Sequence, residues 1–194
     1  MRTLFAFLLL SFMAFGQTPA PSVQNTWDIA PIIADFSDKS ARLKPLLDQL
    51  TPQEWGKKGA VDSAVDRYIS DSATAKQELD YFSKSAQLFV QQPEKLTLAL
   101  DAYFRWQTLH SRLETLREGA RAYQDPALGD LLESVFGLNA SNQDKLRRYI
   151  ADLAAQREEE FGVINQEAQR CRATLSREAP AQPTSSKKAA PAKQ

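Results

Sequence analysis

Cysteine, histidine and methionine are nearly missing from this 194-residue chain, and with them goes most metal and haem chemistry. The single cysteine, Cys171, excludes an intramolecular disulfide and haem attachment through C-x-x-C-H. The single histidine, His110, heads the run His110-Ser111-Arg112-Leu113-Glu114 with no Glu three residues before it. The paired Glu-x-x-His ligands of a ferritin-like di-iron site are therefore absent. His110 and Cys171 also supply too few nitrogen and sulfur ligands for zinc. Both methionines, Met1 and Met13, lie in the leading apolar stretch, which leaves no Met–His pair to hold haem. Glycine is scarce as well, and neither a Gly-x-Ser-x-Gly elbow nor a phosphate-cradling glycine loop can be found. No cofactor, no metal and no catalytic constellation is expected, and the chain reads as a non-enzyme.

An excess of one charge is lacking too. Lysine and arginine number 24 against 24 aspartates and glutamates, so no basic stripe exists to follow a phosphate backbone. Nucleic acid is not an expected partner.

The two ends read plainly. Arg2 and the apolar run Leu4–Phe15 make an export signal, too short for a folded membrane span. Ala14 and Gly16 place cleavage before Gln17, so residues 1–16 are the signal peptide and 17–26 a flexible lead. No stable membrane insertion is expected after cleavage. An exported chain with one cysteine fits a bacterial periplasmic or secreted protein. At the other end, residues 177–194 carry Pro180, Pro183 and Pro191 among small residues and lysines, with no apolar face. That composition predicts a disordered tail.

Residues 27–176 have length enough for one helical domain. Apolar residues step by three and four in turn: Ile29, Ile33, Phe36, Ser40, Leu43, Leu47, Leu50, then Val61, Val65, Tyr68, Ser72, Ala75, Leu79, Phe82, Ala86, Phe89. Ala99, Ala102, Trp106, Leu109, Leu113, Leu116, Ala120 and Tyr123 continue the rule. The spacing predicts an all-α, antiparallel up-down bundle of four main helices with left-handed, coiled-coil-like packing. Thr51-Pro52-Gln53-Glu54 reads as a capping box, Pro93 as the start of the third helix, and Asp125-Pro126 as the start of the fourth. Pro45 should kink the first helix near Ala41. Leu96, Leu98, Leu100 and Phe104 widen the apolar face of the third helix, which should be the most buried.

The fourth segment is longer than its partners. It either breaks at Gly137–Asn142, where helix propensity is lowest, or runs on as one long, bent helix whose end folds back on the first. Its late seam, Phe161, Ile164, Ala168, Cys171 and Leu175, is then core, with Cys171 a buried small residue. Dimerisation through Phe161, Ile164, Cys171 and Leu175 is the alternative.

Hairpin register brings polar interruptions of separate seams to one level. A turn near Trp55 sets Ser40 opposite Ser72, one near Gln92 sets Ser72 opposite His110, and one near Asp125 sets His110 opposite Asn139 and Gln107 opposite Asn142. Ser40, Ser72, Gln107, His110, Asn139 and Asn142 form either a register-fixing polar layer or a small ligand pocket. The acidic residues Asp62, Asp66, Asp71, Glu78 and Asp80 and the run Glu158-Glu159-Glu160 read as solvated faces.

Leu50-Thr51-Pro52-Gln53-Glu54 resembles the L-T-x-x-Q motif of Spy-type periplasmic chaperones, with Glu54 in place of the final Gln and one copy rather than two. The resemblance implies a small exported helical chaperone. Three functions are thus carried forward. They are an envelope scaffold that binds another protein or itself, a periplasmic chaperone, and a small-molecule binder using the polar layer.

Overall fold

The computed structural model describes residues 28–178, which are all-helical with no strand among them. The expected signal peptide, the 17–26 lead, Trp27 and the tail from residue 179 onward lie outside the described residues. Five α-helices pack together: α1 (Ile29–Ala41), α2 (Leu43–Gln49), α3 (Asp62–Gln91), α4 (Leu96–Tyr123) and α5 (Pro126–Glu178), with a 3₁₀ segment (Pro52–Lys58) between α2 and α3.

Local chemistry explains the joints. Pro45 has no N–H to give the Ala41 carbonyl, and the first helical run accordingly parts at Arg42, whose own N–H caps back onto Lys39 at 3.2 Å. The break puts Pro45 in the opening turn of α2, where it costs nothing. Asp125 caps α5 as expected, its carboxylate accepting the Ala127 N–H at 2.9 Å. Two joints differ from expectation. Thr51 forms no side-chain cap, because its hydroxyl is drawn to Gln124, and Glu54 pairs with Lys57 instead. The segment that follows is 3₁₀ rather than a capped α-turn, and Gly59 ends it at φ 106°, a conformation glycine adopts without strain. Pro93 does not open α4, which begins three residues later at Leu96.

The helices pack in pairs, α3 on α4, α4 on α5, α5 on α1 and α1 on α3. Side-chain bonds set the directions. Asp71 meets Arg112, Glu78 meets Arg105 and Ser85 meets Asp101, so partners fall along α4 as they rise along α3. Trp106 with Gln143, Arg117 with Glu133 and Arg121 with Asp130 do the same for α4 and α5. Adjacent long helices therefore run antiparallel.

The three-four spacing is the core. Ile29, Ile33, Phe36, Leu43 and Leu47 are buried, as are Ala75, Leu79, Phe82, Phe89, Ala99, Trp106, Leu109, Leu113 and Leu116. At mid-height Phe36, Phe82 and Trp106 meet edge to face or tilted, with ring centroids 4.7 to 5.5 Å apart, and Phe136 adds a fourth ring. One seam position departs from the pattern: Val61 precedes α3 and is 67% exposed. The extra apolar face of α4 is only partly covered, with Phe104 60% exposed.

α5 is a single helix of 53 residues, about 80 Å at 1.5 Å per residue, against about 45 Å for the 30-residue α3. Gly137–Asn142 stay helical, because tertiary hydrogen bonds to Asn139 and Asn142 hold a stretch of weak propensity in place. The helix runs on through Arg177, which the sequence had placed in the tail. Its end does not fold back on α1: residues 161–177 are all exposed. Cys171 is likewise exposed and not a core residue, since no other helix among the described residues reaches that far along α5.

Candidate functional site

Two features stand apart from the apolar core: the polar positions at mid-height, and the free end of α5.

At the α1–α5 seam Ser40 and Asn139 are fully buried. The Ser40 hydroxyl donates to the Phe36 carbonyl at 2.7 Å and accepts from Asn139 Nδ2 at 3.3 Å. One turn on, Asn142 Nδ2 donates to Asp35 at 2.7 Å, and the Lys39 ammonium donates to the same carboxylate oxygen at 2.6 Å. These bonds cross-link α1 to α5 in one register. Asn139 Oδ1 is buried without a protein partner, the one unmet demand in the seam.

The expected layer is thereby divided. Ser40, Asn139 and Asn142 are brought together, while Gln107 turns to Tyr103 on its own helix at 2.7 Å. His110 is half-buried and makes ring contacts only, edge-on to Phe136 with centroids 4.5 Å apart and tilted toward Trp106. Ser72 is buried beside Asp71 but joins no part of the Ser40–Asn139 pair. Replacing His110 by leucine is expected to change stability by no more than about 1.5 kcal/mol, because an apolar ring environment accepts a similar volume. A loss above about 3 kcal/mol in denaturant titration would show the imidazole to be tied into a polar network.

Sequence reasoning missed three structural groups. Asp71, read as solvated, is 3% exposed and accepts from Arg112 at 2.9 Å across α3–α4, with Arg67 at 3.6 Å. Asp35 was overlooked because it stands one residue off the α1 seam. Gln124 was overlooked because it follows α4. Its Oε1 accepts from Thr51 N (2.9 Å), Thr51 Oγ1 (3.2 Å) and Trp55 Nε1 (3.0 Å), and its Nε2 donates to Gln49 O at 2.8 Å. The Leu50–Glu54 motif is thus a joint that ties the 3₁₀ segment to the end of α4.

The Lys39 ammonium and the Asn142 amide, in that order, hold the Asp35 carboxyl below its ordinary value of 3.8. Lys76 does the same for Asp48, Arg147 and Arg148 for Asp144, and Arg157 for Glu160. A carboxyl depressed in the folded state contributes stability that is complete above its unfolded pKa and drains away as pH falls through the folded one. The melting temperature should therefore be flat from neutrality to about pH 5 and fall only as acid protonates these groups. Asp35→Asn should reduce that acid-side slope, whereas a decline beginning near pH 6 would place the titrating group elsewhere.

Two grooves lie between α1 and α3, one of about 390 Å³ lined by Ile33, Ser37, Ala86 and Val90 and one of about 170 Å³ lined by Ser37, Leu79 and Phe82. Neither includes a residue of the polar layer. Among the described residues no group of three or more His, Cys, Asp or Glu could hold a metal ion, and no helix is long and apolar enough to cross a membrane.

The free end of α5 starts where the bundle stops. Tyr149 donates to the Pro93 carbonyl at 3.1 Å and Arg157 to the Glu94 carbonyl at 2.9 Å, both in the α3–α4 turn. Beyond them Phe161 is 71% exposed, Ile164 63% and Leu175 62%. Single exposed apolar residues are ordinary on a protein surface, but a row at three-four spacing on one helix is not.

Compared with protein-family models, curated proteins and solved structures, the chain matches none of them. What the fold and sites define is a class, an all-helical protein of five packed helices.

Proposed function

We propose that the chain is a non-enzymatic scaffold of the bacterial envelope, periplasmic or secreted. In this reading an up-down bundle of coiled-coil type serves as the body, and the free end of α5 docks a protein. The observation that carries the proposal is the row Phe161, Ile164, Ala168, Cys171 and Leu175, exposed on a helix end that no other described element covers. A helix of that length has little intrinsic stability in water without a partner for its apolar face. Both the chaperone and the ligand-binding readings have less support. The chaperone-like motif is engaged in the Gln124 joint, and the two α1–α3 grooves lie away from the polar residues.

Truncation after Arg157 tests the proposal. The bundle should keep its melting temperature within about 3 °C, since the removed residues add little to the core and ~1 kcal/mol corresponds to ~2–4 °C at this size. At the same time the native size of the protein in envelope extracts should fall to that of the isolated chain. Unchanged native size, or a collapse of the bundle, would remove the docking role.

A further inference from the structure

We propose that the occupant of the exposed α5 face is a second copy of the same chain, lying antiparallel. The proposal rests on the docking role argued above and names its partner.

Charge along the free end is the first ground. Glu158, Glu159, Glu160 and Glu167 fill its first half, and Arg170, Arg172 and Arg177, with Glu178 as the last residue, its second. Glu160 pairs with Arg157 on its own helix, whereas among the described residues Glu158, Glu159, Glu167, Arg170 and Arg172 enter no ion pair. A helix acidic at one end and basic at the other complements itself when reversed. Laid antiparallel about a dyad near Ala168, Glu159 of each copy comes opposite Arg177 of the other and Glu160 within about a turn of its Arg172, while Glu158 alone falls opposite a like charge, Glu178. Phe161 of one copy then faces Leu175 of the second copy, and Ile164 comes near its Cys171. A parallel pairing would instead set Glu158–Glu160 against their own duplicates, which is repulsive.

Direction is the second ground. At about 100° per residue, the mean direction of the row Phe161, Ile164, Ala168, Cys171 and Leu175 lies about 45° from that on which Leu146, Tyr149 and Leu153 face the core, with Phe161 the farthest at nearly 90°. The exposed face therefore points along the same side as the bundle interior. A partner helix lying parallel on it would have to continue into the space held by α3 and α4. A reversed partner ends at the α3–α4 turn and carries its own bundle away to the far side. The geometry admits a dumbbell with two bundles at opposite ends of a shared helical pair.

The experiment is light scattering of the purified full chain across micromolar concentrations, with helicity and melting followed in parallel. Wild type is expected to be a dimer that weakens with salt, since the paired charges sit at the surface. The variant E158K/E159K/E160K should be monomeric with an unaltered melt of its bundle. So should R170E/R172E/R177E. Combining all six changes in one chain should restore the dimer, because the two halves again complement each other. Each variant dimerises normally if the pairing is parallel, and that result overturns the proposal. Oxidation offers an independent reading. The antiparallel register leaves the two Cys171 sites about 9 Å apart along the axis, too far for a bond, so a rapid Cys171–Cys171 disulfide also overturns it. A monomeric wild type overturns the second-copy occupant. In that case a loss of native size on truncation after Arg157 keeps the docking role with another partner, and no loss removes both.

Discussion

Trp106→Ala is expected to cost about 3–5 kcal/mol of folding stability, the usual cost of emptying a buried indole site. The ring is 1% exposed and touches Phe36 and Phe82, with Phe136 behind, so three helices lose a common neighbour. The indole N–H also donates to Gln143 Oε1 at 3.1 Å, and its removal frees that carbonyl oxygen on α5. At this chain length the melting temperature should fall by roughly 10 °C. Phe104→Ala is the control two residues away. That ring is 60% exposed, and its loss should stay within about 1 kcal/mol. Similar losses for the two variants in urea titration would mean that the aromatic cluster does not centre the core.

Gly119→Ala sets two effects against each other. Alanine in a helix interior gains about 1 kcal/mol over glycine from propensity. Here the added methyl would stand 2.3 Å from Trp55 Cζ3 and 3.0 Å from Tyr68 Cε1. The Trp55 ring cannot yield, because it is 1% exposed and its N–H is held by Gln124 at 3.0 Å. Overpacking of this kind costs about 1–3 kcal/mol, and displacement of a pinned ring belongs at the upper end, so the variant should be destabilised overall. Trp55→Phe shortens the ring, and the double variant should lose less than the sum of the two single losses. Gly137→Ala provides the opposite case. Its added methyl would meet nothing within 4 Å, and it should gain close to the full propensity term. A gain at Gly119 as large as that at Gly137 would show the 3₁₀ segment to be loosely seated.

These two substitutions probe different halves of one body. Trp106 reports on the centre where α1, α3, α4 and α5 meet. Gly119 reports on the end where the Thr51–Trp55 joint closes over α4. The opposite end, at Pro93 and Glu94, anchors α5 before it leaves the bundle.

The all-helical class and the three-four seams of the core were legible in the residues themselves. Periodicity depends on the helix repeat alone. Pro45 and Asp125-Pro126 acted where they stand because a missing N–H and a capping carboxylate are properties of single residues. Other features required the assembled fold. Thr51 exchanged its cap for Gln124, a residue 73 positions away that no local rule could nominate. Asp71 became buried only because Arg112 was carried opposite it. The polar layer divided because His110 met Phe136 rather than an amide, which side-chain direction decided and register could not. Finally, the seam from Phe161 to Leu175 read as core, since periodicity records that a face is apolar and says nothing of what covers it. Among the described residues no other helix extends far enough to reach it, so Cys171 and its neighbours stand exposed.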